Sequence, residues 1–145
     1  MIPTITNEKS CGAILYCRDA GVRYLLIRQC NESTYYGFPK GHVIGAETER
    51  ETALREIGEE VGVQPVLDAT FRRVTSYPLP QKPGVTKTVV YFLGRFDPDE
   101  LITIQPEEVC DCVLLPYEEA YPLLRDDMRV ILHDADELLA KSEEL

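Results

Sequence analysis

No apolar run in the 145 residues approaches the ~20 that a membrane-spanning helix needs, so a helical span is excluded. The opening residues, MIPTITNEKS, lack the basic-then-apolar pattern of a secretory signal, and a cytoplasmic protein is expected. There is no internal repeat, low-complexity tract or linker-like stretch, so one domain over 1–145 is expected. Basic charge is scarce: 15 Lys and Arg stand against 25 Asp and Glu, a net charge of −10. Without a basic patch to grip a polyanionic backbone, nucleic acid is not an expected partner, and neither is a membrane. The five cysteines are odd in number and are expected as reduced thiols. Cys110 and Cys112 form a C-x-C pair, but no second pair or nearby histidine completes a zinc set. On a strand the two would share one face as small core residues.

What is present is an ordinary apolar content, 44%, with strand and helix patterns in mixed order. Residues 11–16 and 22–28 read as an antiparallel hairpin. The Gly- and Pro-punctuated YYGFPKG leads into an acidic segment, and 65–78 and 87–96 read as two further strands. A short strand over 110–115 precedes a short helix in YEEAYPLL and a longer C-terminal one. This order predicts an α+β fold or a sandwich.

The acidic segment, GHVIGAETERETALREIGEEVGV, carries the chemistry. Thr48 and Glu51 have capping-box spacing, and Gly62 is a natural left-handed terminator, so a helix is predicted from Glu49 to about Val61. Ala53, Leu54, Ile57 and Val61 form its apolar stripe, and Glu56, Glu59 and Glu60 share another face. Like charges about 6 Å apart repel by roughly 3 kcal/mol at an effective dielectric near 20. Glu59 and Glu60 also oppose the helix dipole by ~0.3–1 kcal/mol each. Gly58 costs about 1 kcal/mol more in a helix interior. A solvated acidic face would not accumulate these penalties, so positive charge is expected there. Oxygen donors without thiols or imidazoles point to a hard cation, Mg²⁺ or Mn²⁺. Such ions also let an acidic protein bind a polyphosphate.

Gly41, five residues, Glu47, seven residues and then Arg55-Glu56-Ile57-Gly58-Glu59-Glu60-Val61-Gly62-Val63 resemble the Nudix box, the signature of MutT-like hydrolases. PKGH at 39–42, KTVVY at 87–91 and the spacing from Glu108 to Glu118-Glu119-Ala120 resemble the asymmetrical diadenosine tetraphosphate hydrolases of that family. The resemblance implies a Nudix α/β/α sandwich with a central mixed sheet, the loop-helix and C-terminal helices. It implies Mg²⁺-dependent cleavage of a dinucleoside polyphosphate, diadenosine tetraphosphate giving ATP and AMP.

By the same resemblance Glu56, Glu59, Glu60, Glu108 and the Lys40 carbonyl would hold metal. Glu59 or Glu108 would take a proton from water, with Glu107 as rival to Glu108. Lys87, His42 and Lys40 would contact phosphate, and Tyr91 would stack on adenine, with Tyr121 or Tyr77 as its partner. Glu47 and Arg55 would pair to brace loop against helix. Two positions depart from the pattern: Tyr36 and Leu114 stand where tryptophan is expected, and the chain has none. The same chemistry on a nucleotide-sugar, a damaged nucleoside triphosphate or an RNA 5′ end is the alternative. A non-catalytic nucleotide-binding domain is the remoter one.

Overall fold

The computed structural model describes residues 6–30 and 34–143. Its strands are β1 (Thr6–Arg18), β2 (Val22–Gln29), β3 (Lys40–His42), β4 (Val66–Leu67), β5 (Arg73–Pro78), β6 (Val85–Arg95) and β7 (Val109–Leu115). The helices are α1 (Glu49–Val61), α2 (Tyr117–Ala120) and α3 (Asp126–Glu143), with a 3₁₀ turn over Tyr121–Leu123 between the last two. The strands form one mixed sheet in the order β4-β6-β1-β2-β7, with β3 on β1 and β5 on β6. β1 and β6 run parallel and the other pairs antiparallel.

β1 is apolar on both faces because both are covered, which is why CGAILYC reads as one continuous run rather than an alternation. Cys11, Ala13, Leu15 and Cys17 pack with Ile57 and Val61 of α1. Ile14 and Tyr16 pack with Leu132 and Leu139 of α3 on the other side. Tyr24, buried on β2, donates its hydroxyl to Asp136 of α3 at 2.6 Å. The α+β reading and the mixed sheet therefore hold, with helices on both faces.

α1 has the expected bounds. Thr48 Oγ1 accepts from the Glu51 N–H at 3.1 Å, and Glu51 Oε1 accepts from the Thr48 N–H at 2.9 Å. Gly62 closes the helix at φ 77°, where only glycine is comfortable. Leu54, however, is exposed. The face that meets the sheet is centred on Ala53, Ile57 and Val61, and its flank carries Thr52 and Glu60 instead.

Two strand expectations change. The run over 65–78 is two strands, because Asp68 accepts from the N–H and hydroxyl of Thr70 and folds the chain out of extended geometry. PKGH contains a short strand, β3, that its Pro and Gly disguised. It lies so close to β1 that a Cβ on Gly12 would overlap the Pro39 carbonyl. The cysteine expectation is also corrected: Cys30 and Cys110 form a disulfide across eighty residues, and Cys11, Cys17 and Cys112 are free. Cys110 does not share a face with Cys112. Asp111 pairs with Arg28 but Val109 pairs with Gln29, so Cys110 is the bulged residue and turns outward. Among the described residues no helix is long and apolar enough to cross a membrane.

Replacing Thr48 with Ala removes one half of the capping box and should lower stability by about 1 kcal/mol, read as a reduced urea midpoint at unchanged slope.

Candidate active site

α1 delivers three glutamates into three environments. Arg55 sorts them. Its Nε donates to Glu47 Oε2 at 2.6 Å and its Nη2 to Glu47 Oε1 at 3.1 Å and to the His42 carbonyl at 2.8 Å. The remaining Nη1 reaches Glu56 Oε1 at 2.8 Å and both Glu59 oxygens at 3.3 Å. Glu47, also held by the Ile44 N–H and the Thr52 hydroxyl, has its pKa lowered to about 2, the Arg55 hydrogen bond being the main cause. The Glu47–Arg55 pair thus ties the 43–48 loop to the helix. Part of the positive charge expected beside the acidic face is this guanidinium.

Glu60 has no such partner. Its residue is 2% exposed, and Oε2 is buried without a hydrogen-bond donor. The Lys40 backbone N–H and ammonium favour its ionised form. Desolvation outweighs them, with the charges of Glu56 and Glu108 adding to it, and its pKa rises to about 8. Glu56 reaches the same place through a gap in the loop, since a Cβ on Gly41 would overlap its carboxylate.

A cleft of about 640 Å³ has Glu56 and Glu60 on one wall and Glu107 and Glu108 on another, with Lys40, His42 and Lys87 beside them. Thr103 and Gln105 donate backbone N–H groups to the Val61 and Glu60 carbonyls at 2.9 and 3.0 Å, so the segment before Glu108 caps the end of α1. Lys87 is nearly buried. Its Nζ donates to Ser10 Oγ at 2.6 Å and lies 2.7 Å from His42 Nε2. Burial, with Lys40 nearby, lowers its pKa. Ser10 is a site residue that sequence reasoning missed, because only the β1–β6 pairing brings it there.

A second, smaller pocket shares Gln29 and Lys40 with the cleft and is lined by Tyr35, Tyr36, Tyr77, Tyr91 and Arg125. The Arg125 guanidinium lies 5.9 Å from the Tyr77 ring centre. Tyr36, in the place where tryptophan was expected, donates its hydroxyl to Asp111. Two residues fall elsewhere. Tyr121 stacks with Arg129 and lines a separate depression with His133, away from Tyr91. Glu59 shares Arg55 Nη1 with Glu56 and stands at the rim, its side chain 56% exposed, outside the cleft lining itself.

Among the described residues no three acidic, His or Cys side chains form a preassembled ion cage. The chemistry of the cleft nevertheless fits a divalent cation. Its donors are oxygens, one buried carboxylate oxygen lacks a partner, and loop glycine leaves room for another carboxylate.

A NUDIX domain model matches residues 8–135. The chain belongs to the Nudix family of hydrolases. Within it the chain is 36% identical over 97 residues to the asymmetrical bis(5′-nucleosyl)-tetraphosphatase of Mus musculus, covering 60% of this chain and 64% of that protein. It is 29% identical over 142 residues to the Sus scrofa enzyme of the same name, covering 90% and 95%. An Ap4A hydrolase of C. elegans, in a binary complex, superimposes with a TM-score of 0.84 at 24% identity, covering 92% and 98%, a likeness of fold.

The raised pKa of Glu60 has a stability consequence. Below about pH 4.5 the carboxyl is protonated folded or unfolded, and its ionisation makes no pH-dependent contribution. Between there and about pH 8 only the unfolded chain ionises, so stability falls as pH rises, levelling off above the folded pKa. Glu60→Gln should therefore melt above the wild type at pH 8 without metal, melt with it near pH 4, and lose orders of magnitude in turnover. Gly41→Ala should displace the Glu56 carboxylate and lower kcat on the order of 100-fold, with thermal midpoint little changed because the atom it meets can move.

Proposed function

We propose that this chain is a metal-dependent pyrophosphohydrolase acting on dinucleoside polyphosphates, with diadenosine tetraphosphate cleaved to ATP and AMP. The observation that carries the reading is the junction of two sites. An acidic cleft with a lysine and a histidine suited to a phosphate chain shares Gln29 and Lys40 with a tyrosine-lined pocket suited to a base. The tetraphosphatase relatives support the same substrate class.

Glu56, Glu60 and Glu108 would hold the ion; the enzymes of this family generally use divalent metal. When bound it supplies neutralisation of phosphate oxygen charge and activation of the attacking water. Lys87 grips the phosphate chain, held toward it by Ser10, and His42 completes that contact. Lys87 is desolvated before substrate arrives, so it loses little hydration on meeting an anion. Glu108, which lines the cleft opposite Glu56 and Glu60, takes the proton of the attacking water. The water oxygen bonds to phosphorus, the bridging oxygen leaves with its electron pair, and ATP and AMP separate. Tyr77 and Arg125 receive one base, and Tyr91, only 2% exposed, forms the buried floor of that pocket rather than a stacking face.

The test is Mg²⁺-dependent hydrolysis of diadenosine tetraphosphate, nucleoside triphosphates including an oxidised guanine, and ADP-ribose, with products resolved by chromatography. A kcat/KM for diadenosine tetraphosphate at least about tenfold above the rest is expected. Equal rates across the panel would overturn the substrate assignment.

A further inference from the structure

The segment that carries Glu107 and Glu108 has little of its own to hold it. All side chains from Gln105 to Glu108 are exposed, and Val109 is the first buried residue after them. One end is tied to α1 through the Gln105 N–H on the Glu60 carbonyl, and the Glu108 and Val109 N–H groups fold back on the Gln105 carbonyl at 3.0 and 2.8 Å. The other end should be held by the β2–β7 ladder. That ladder loses register between Arg28 and Gln29, beside the point where Glu108 must be placed.

Two connections take over where the ladder slips. The Cys30 N–H donates to the Glu108 carbonyl at 3.0 Å, and the Cys30–Cys110 disulfide bridges the end of β2 to the bulge. Cys30, Glu107 and Glu108 line the same cleft as Glu56 and Glu60. Both bridged cysteines are exposed, whereas Cys11 and Cys17 are fully buried and Cys112 is half-buried. Burial pushes the Cys11 and Cys112 thiols up to about 11, which leaves them unreactive beside the exposed bridge.

We propose that the Cys30–Cys110 disulfide is a positioning element of the metal site, clamping the Glu108 loop against Glu56 and Glu60 and releasing it on reduction. This rests on the assignment of Glu108 to the metal site. The release step consumes a dithiol. One thiolate attacks Cys30 or Cys110 sulfur, the S–S bond breaks, and the expelled thiolate takes a proton. The second thiol displaces the mixed disulfide, so the protein gains two electrons and two protons and the reagent becomes a cyclic disulfide. Without the bridge, Glu108 is held by the Cys30 N–H, the Gln105 contacts and, through buried Val109, the last β2–β7 pair with Gln29.

The experiment compares oxidised protein with protein treated with dithiothreitol, the thiol state being followed by alkylation and mass spectrometry. Cys30→Ser and Cys110→Ser serve as variants. Mn²⁺ affinity is measured by calorimetry without substrate, and the Mg²⁺ needed for half-maximal rate is measured with it. Reduction should weaken metal binding by about tenfold, a loss typical of removing an outer-shell support. KM for substrate at saturating metal should move less, reoxidation should restore the affinity, and both variants should sit at the reduced value and ignore the reagent. Equal Mn²⁺ affinity in both confirmed states would overturn the clamp while leaving the hydrolase reading intact. Failure of oxidised protein to form the bridge would overturn it too. Should a serine variant fail to fold, the reduced wild type still decides. Absence of Mn²⁺ binding in either state would instead remove the metal site on which the proposal stands.

Discussion

A carboxylate with one unpartnered oxygen, packed between a helix and a sheet and facing two other glutamates, sets the terms for this molecule. Burial disfavours the ionised form of Glu60 at neutral pH, and the surrounding groups offset only part of that cost. Arg55 occupies itself with Glu47, Glu56 and Glu59. Lys40 offers an N–H and a nearby ammonium. The arrangement costs stability, and it survives because the apolar clusters on either side of the sheet bear α1 and α3 firmly. Helix capping at both ends of α1 serves the same purpose, holding the acidic turn in register when its own charges oppose it.

The sheet divides the work between its faces. α1 and the 102–109 segment bring acid to one face, while α2, α3 and the 3₁₀ turn cover the other. The two meet where β6 starts, β2 ends and β7 begins. There Lys40 of β3 belongs to both cavities. A cleft for charge and a pocket for rings can therefore adjoin without either displacing the core.

How much was legible in the sequence follows from the range of each interaction. The capping box and the Gly62 terminator lie within one helix and residue spacing reveals them, whereas the Glu47–Arg55 pair was expected only from the resemblance to the Nudix box. Burial does not follow from spacing. The helical wheel put Glu56, Glu59 and Glu60 on one face, yet one is buried, one half-buried and one exposed, because only the sheet and the loop decide what covers that face. Leu54 went the other way for the same reason. The Ser10–Lys87 contact joins residues 77 apart through parallel strands, and no local pattern marks it. The Cys30–Cys110 bridge needed both the β2–β7 pairing and its bulge. Tyr121 was offered beside Tyr77 by the resemblance, as a second ring for the base, and the 3₁₀ turn points it toward Arg129 instead.

Lys87 and Tyr91 stand four residues apart on β6, on the same side of the sheet. A strand advances about 3.3 Å per residue, so some ~13 Å of rigid backbone separates the buried Lys87 in the cleft from the wall of the tyrosine-lined pocket. That interval is a gauge built from peptide units, and exchanging side chains cannot lengthen it. A longer gauge would require two extra residues in phase, which would shift every partner along the eleven-pair ladder with β1. Descendants of this chain could reshape either cavity by small steps, but the span between the two would change only by rebuilding its central sheet.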